Sequence, residues 1–247
     1  MAIEWTADGI ILTVRRFGET DCLVDIFTSD FGRASGFVKG GQGRAHRPVL
    51  QPGNRVVANW RSRLPDQLGR FTFEPRGATV ADILTDPKRL LAIGALTATL
   101  STALPDREPH PDLYNGSDGV VTLIQLGDIA EIAAGIARLD LAILSALGYG
   151  LDLSACAVTG DTRDLAYVSP KSGRAVSRMA AGPYADKLLR LPPFILEGSQ
   201  ATLADGRDAL VLSQFFLDRH VWVSRKDGMP AGRHRFFERI QSDLAGG

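Results

Sequence analysis

A chain of 247 residues with 45% hydrophobic content can bury a substantial core, which excludes a disordered protein and accommodates one domain or two. Its 28 basic and 28 acidic residues cancel, but unevenly. No carboxylate occurs between Asp30 and Asp66, whereas Arg33, Lys39, Arg44, Arg47, Arg55, Arg61 and Arg63 do, so this stretch carries +7 and the remaining 21 bases against 28 acids leave −7 elsewhere. Such polarity points to a polyanionic partner, nucleic acid or an acidic membrane surface.

The opening residues MAIEWTADG hold two acids and no basic region ahead of an apolar core, unlike a secretory signal. The longest apolar stretch, Ile129 to Leu147, is interrupted by Glu131, Arg138 and Asp140, so no membrane span is expected. A soluble, unexported protein is expected. Cys22 and Cys156 lie far apart and read as small buried hydrophobes rather than a disulfide.

Up to about residue 77 the pattern alternates in short β-rich runs separated by glycine turns. Strands are expected at Gly9 to Arg16, Asp21 to Thr28, Gly32 to Lys39, Asn54 to Arg63 and Gly69 to Pro75. TSDFGR forms a hairpin connection and GGQGRAHRPVLQPGN a long loop. Five strands are too few for a sandwich and suit a Greek-key OB barrel. Period two puts Arg33, Ser35, Phe37 and Lys39 on one face of the third strand, making Phe37 a candidate base-stacking platform among cations or a cap on the barrel end. Trp60 falls on the face opposite Arg61 and Arg63 and is assigned to the core.

From Ala78 the period becomes helical. Asp86 and Pro87 read as an N-cap and first helical residue of a helix to about Ala103, and LPDREPHPDLY connects to a shorter helix. Apolar residues at spacings of three and four from Ile129 to Leu147 mark a helix stopped at Gly148-Tyr149-Gly150. Leu151 to Leu191 is irregular and turn-rich; helices follow at Ala204 to Val223 and Pro230 to Leu244. The fold class is multidomain α+β: an OB-fold domain over residues 1–78 and a mainly helical domain over 79–247.

Motifs for catalysis are absent. No G-x-x-x-x-G-K-[ST] loop occurs, and GGQGRAH has His46 where a dinucleotide loop needs its third glycine. Neither a G-x-S-x-G elbow nor an H-E-x-x-H pair is present, and His46, His110, His220 and His234 are scattered singly. Asp21 and Asp25 share a strand face, but a pair at period two is read as an exposed edge rather than a nuclease metal site. No enzyme, cofactor or metal is expected. The candidate nucleic-acid-binding residues are Arg33, Phe37, Lys39, Arg44, Arg47, Arg55, Arg61 and Arg63, contacting backbone with little sequence preference.

DGIILTVRRFGETDCLVDIFTSDFGRASGFVKGG resembles the amino-terminal barrel of the RecO family of bacterial recombination mediators. The likeness continues in order through RPVLQPGNRV, RLDLAILSALGYGLDLSACAVTG and LAYVSPKSGRAVS. It implies an OB domain joined to a helical domain with a zinc-ribbon-like insertion, here about 151–191. It also implies a cytoplasmic, nucleoid-associated protein that binds single- and double-stranded DNA, anneals complementary strands and, with RecR, helps RecA displace single-strand binding protein (SSB). Some members carry two C-x-x-C pairs in the insertion. This chain keeps only Cys156, with Thr159, Val176 and Met179 at the other positions, so no structural zinc is expected. Packing of Val158, Tyr167, Val168, Val176 and Met179 is expected to replace it. The resemblance further suggests that the helical domain binds the SSB C-terminal tail, for which Arg138 is the candidate, its alternative being a surface pair with Glu131 or Asp140. The rival reading is a generic OB-fold RNA-binding or translation-associated module.

Overall fold

The computed structural model describes residues 3–64, 67–77 and 80–246. The chain divides into two compact units, one formed by 1–125 with 230–236 and the other by 126–229 with 237–247. The boundary expected between residues 78 and 79 lies on residues outside those described.

The first unit contains a closed barrel of β1 (Ile3–Phe17), β2 (Asp21–Thr28), β3 (Gly32–Val38), β4 (Arg55–Ser62) and β5 (Gly69–Pro75), in the order β1-β2-β3-β5-β4. Among the described strands of the barrel, only β3 and β5 pair with each other in parallel. Strand β1 begins at Ile3, six residues before the expected Gly9, because one strand must serve two partners: Ile3 to Ile10 pairs with β4, and Gly9 to Phe17 with β2. A register shift between Ile11 and Thr13 bends it between the two ladders, as barrel closure requires.

The barrel interior holds Val24, Ile26, Ala34, Val38, Val56, Ala58, Trp60 and Phe71. Close packing fixes Gly69: a Cβ there would stand 2.2 Å from the Trp60 ring. Ile10, Ile11 and Leu12 are consecutive and all buried, so both faces of β1 are covered. Helix α1 (Pro87–Ala103) packs on that strand, which is why strict alternation fails there. Asp86 caps α1 as expected, accepting from Lys88 N at 2.9 Å and Arg89 N at 3.2 Å, with Pro87 at the first turn. Helix α2 (Pro111–Leu126) sets Tyr114 edge-on against Phe27, ring centroids 5.8 Å apart.

In the second unit α3 (Ile129–Ala146) packs on a later helix, Leu203–His220, at close range: a Cβ on Gly206 would lie 2.8 Å from that of Ala133. Buried Ser213 donates to buried Asp140 at 2.7 Å between them. The insertion, expected to be irregular, forms a small sheet of β6 (Leu165–Val168), β7 (Ala175–Ser177) and β8 (Leu189–Arg190) in the order β7-β6-β8, with short helices α4 (Arg178–Ala181) and α5 (Pro193–Glu197). Leu203–His220 is therefore α6, and Ala231–Ala245 is α7.

The expected packing of the insertion needs correction. Cys156, Val176 and Ala181 form its core with Leu165, Tyr167 and Leu188 against them, and Val168 is also buried. Val158 and Met179 take no part, being 71% and 91% exposed. Gly160 N donates to Cys156 O, closing a tight turn that throws Val158 outward, and Met179 occupies the first turn of one-turn helix α4. Cys156 itself fills the centre, its sulfur accepting from Ser177 N at 3.3 Å.

Candidate nucleic-acid interface

The eight sequence-derived candidates fall into three groups. Arg33 and Arg55 leave the candidate interface altogether, because carboxylates distant in sequence neutralise them. Arg33 pairs with Asp106 at 2.7 Å and donates to Ser101 O at 3.1 Å. Arg55, with only 12% of its side chain exposed, pairs with Asp118 and donates to the Asp118 carbonyl, Thr122 and Gln125 on α2. Both arginines fasten the barrel to the helices of their own unit.

Arg44 and Arg47 stand exposed on the β3–β4 loop and make no side-chain bond among the described residues. The loop has a firm base: Val49 and Leu50 pack on the barrel core, and Asn54 donates to Pro48 O at 2.8 Å and Val49 O at 2.9 Å.

Phe37, Lys39, Arg61 and Arg63 come together along a groove of about 790 Å³ on the barrel. The last residue of β1 supplies Phe17, β3 supplies Phe37 with Lys39 just past its end, and β4 supplies Arg61 with Arg63 just past its end. Arg70, at the start of β5, joins them. Strand register lays out one outer row, Glu4, Arg61, Arg70, Phe37 and Leu23, across β1, β4, β5, β3 and β2. Arg61 and Arg70 are exposed, and neither has an ion pair among the described residues. Phe37 is half-buried with its ring centroid 4.6 Å from that of Phe17, and Phe17 remains 53% exposed. The groove thus offers four cations beside an aromatic pair.

Arg70 and Phe17 were missing from the sequence candidates. Arg70 lies beyond Asp66, where the carboxylate-free run ends; Phe17 offered one signal, an aromatic residue at a strand end directly before a glycine turn.

Two acids, Glu4 and Asp21, also line the groove. Asp21 is committed locally: Gly40 N donates to it at 2.8 Å and Thr20 at 3.0 Å, and the Gly40 bond first, then Thr20, hold its carboxyl below the ordinary range. Asp25 corrects the expectation of an exposed edge, being 5% exposed and accepting from Thr13, Ser35 and Arg15. Asp25 is thus occupied within the sheet, and the described residues contain no group of three or more His, Cys, Asp or Glu arranged to hold a metal. Trp60 is 5% exposed in the core, donating to Ser35 O at 3.2 Å.

In the second unit, Arg138 pairs with neither Glu131 nor Asp140. Its guanidinium donates to Phe194 O at 3.0 Å and lies over the Phe194 ring, 4.7 Å from the centroid. Glu131 instead completes the capping box with Asp128. Among the described residues no helix is long and apolar enough to cross a membrane.

A barrel closed in the order β1-β2-β3-β5-β4 and followed by a mainly helical region defines an OB-fold protein with an appended α domain. Family models narrow this: Recombination protein O N terminal matches residues 1–76, and Recombination protein O C terminal matches 84–227. Over 241 residues the chain is 44% identical to a DNA repair protein RecO of Rhodospirillum centenum, covering 97% of this chain and 95% of that one. It is 42% identical over 247 residues to the DNA repair protein RecO of a Chelativorans species, covering 99% and 98%, and 45% identical over 241 residues to that of Rhizobium etli, covering 96% and 92%. The chain belongs to the RecO family.

Proposed function

We propose that this chain is a non-enzymatic recombination mediator acting in DNA repair. It binds single- and double-stranded DNA in the barrel groove and anneals complementary strands. With RecR it assists RecA loading onto SSB-coated DNA. The observation that carries the reading is the juxtaposition of Arg61 and Arg70, like charges side by side at the surface, with Lys39, Arg63 and the Phe17–Phe37 pair around them. Like charges directly opposite each other across two strands repel, and a phosphate chain lying over them relieves the repulsion. The aromatic pair offers a surface on which a base stacks without regard to sequence. Annealing needs the same property, because two polyanions approach only when their charge is neutralised.

The test is direct binding of the full chain to single-stranded DNA, duplex DNA and RNA, followed by annealing of complementary strands with and without RecR. Faster annealing than the spontaneous rate, further changed by RecR, supports the mediator. Preference for RNA with no annealing rejects it in favour of the RNA-binding module.

A further inference from the structure

The carboxyl-terminal cations Arg219, Arg225, Lys226, Arg233, Arg235 and Arg239 form a second basic cluster in the sequence, but several are bonded or buried. Arg239 pairs with Asp243 at 3.1 Å, Arg225 donates to Gly228 O at 3.1 Å, and Arg233 is fully buried. Arg219 lines a concave site within the second unit.

That site, of about 190 Å³, sits where the end of α6 meets two loops, the Gly148-Tyr149-Gly150 helix stop and the β6–β7 turn. Three rings are stacked there. Tyr149 lies against His220 with centroids 4.6 Å apart and planes 13° from parallel, and His220 is nearly coplanar in orientation with Phe216, 3° off at 6.3 Å. Tyr149 is the outer member and 43% exposed. Lys171 projects from the turn and Arg219 from the helix end; both are exposed, and no carboxylate lines the site.

The framework is fixed. Tyr149 N donates to Leu144 O at 2.7 Å, Gly173 N to Ser169 O at 2.9 Å, and Arg219 to Pro170 O at 2.8 Å. That last bond uses one of the guanidinium's five N–H groups and leaves others for an anion. Arg219 also meets the partial negative charge at the α6 C-terminus, which would otherwise oppose an anion there.

A stacked, outward-facing ring between two cations without a counter-acid matches the needs of one nucleotide step: a flat base and flanking phosphates. The volume is below the roughly 300 Å³ at which drug-sized ligand pockets begin. We propose that the second unit carries its own single-stranded nucleic-acid contact, in which Tyr149 stacks on one base while Lys171 and Arg219 hold neighbouring phosphates. This rests on the reading of the chain as a DNA-binding protein and adds a strand contact outside the barrel groove.

The probe is a fluorescein-labelled oligothymidylate, titrated into the full chain by fluorescence anisotropy at several salt concentrations, with an unlabelled duplex as competitor. Tyr149→Leu should weaken oligothymidylate binding by at least about threefold, and Tyr149→Phe, which keeps the ring, should restore it. Lys171→Gln should flatten the log-affinity against log-salt slope by about 0.7. Competition by duplex, whose bases are already stacked, should be unchanged by Tyr149→Leu. If Tyr149→Leu and Lys171→Gln both bind as the unaltered chain while Arg61→Ala weakens binding, the second contact is overturned and the groove stands. Equal loss of single strand and duplex in Tyr149→Leu also overturns it. Absence of binding by the unaltered chain would remove the groove reading itself.

Discussion

Arg61 on β4 and Arg70 on β5 stand directly opposite each other across an antiparallel pair, both exposed and neither ion-paired among the described residues. Cross-strand like charges destabilise a sheet by a few tenths of a kcal/mol to about 1 kcal/mol. Arg70→Ala should therefore leave the melting temperature unchanged or slightly raised, while flattening the salt dependence of DNA affinity by about 0.7 to 0.9. Thermal unfolding and salt titration of the same variant check both halves. A lowered melting temperature with an unchanged slope would mean that Arg70 serves the fold and not DNA.

Arg55 should behave in the opposite way. Its guanidinium makes four contacts to Asp118, Thr122 and Gln125 with little solvent access. Removing it strands Asp118, though that carboxylate is partly exposed, so Arg55→Ala should cost about 2 to 3 kcal/mol in urea unfolding. The slope for single-stranded DNA should not change. A stable Arg55→Ala variant with a flattened slope would return Arg55 to the interface.

This contrast marks what the sequence could and could not convey. Strand and helix positions were legible because alternation, glycine turns and the Asp86-Pro87 cap are local signals. The partners of Arg33 and Arg55 were not, since Asp106 and Asp118 lie more than 60 residues away and only the fold brings them near. A carboxylate-free run in sequence thus splits in space into two staples, two loop cations and three groove cations. Arg70 escaped for the converse reason: an acid precedes it in the chain, yet Arg61 and Phe37 are its neighbours in the sheet. Val158 and Met179 show the same limit, since apolar character does not reveal which way a tight turn or a one-turn helix points.

Cys156 gives a pH-dependent prediction. Burial opposes ionisation of its thiol, but hydrogen bonds from Ser177 and then Thr159 outweigh burial and bring it from the ordinary 9.0 down to about 6. A group more acidic in the folded than in the unfolded chain adds stability as pH rises from its folded towards its unfolded value. The stability difference between the unaltered chain and Cys156→Ala should therefore widen from about pH 6 to pH 9 in urea unfolding. Burial pushes the Cys22 thiol the other way, upward, so its contribution enters only above that window. Chelator should leave the midpoint unchanged, and metal analysis should give well under one equivalent of zinc. A stoichiometric zinc content, or a midpoint that falls on chelation, would reject the metal-free insertion.

Arg138 tests whether the helical domain captures an acidic protein tail, as the family resemblance suggests. Its charge lies at the surface while one N–H and the ring face of Phe194 hold it in place, so the guanidinium is oriented before any partner arrives. An acidic, apolar tail needs a fixed cation for its carboxylates and a greasy neighbour for its side chains. Losing the contacts to Phe194 should itself cost about 1 kcal/mol, because a cation–π pair whose guanidinium faces water contributes roughly 0.5 to 1 kcal/mol and the carbonyl bond is only partly buried. Arg138→Ala should therefore fold, with a slightly lower melting temperature. It should bind DNA normally and lose affinity for an SSB tail peptide by at least about tenfold, the range of a charge-assisted contact. Arg138→Lys keeps the charge but not the planar stack on Phe194, and should lie between the two. Peptide affinity unaltered in both variants would place tail recognition elsewhere on the chain.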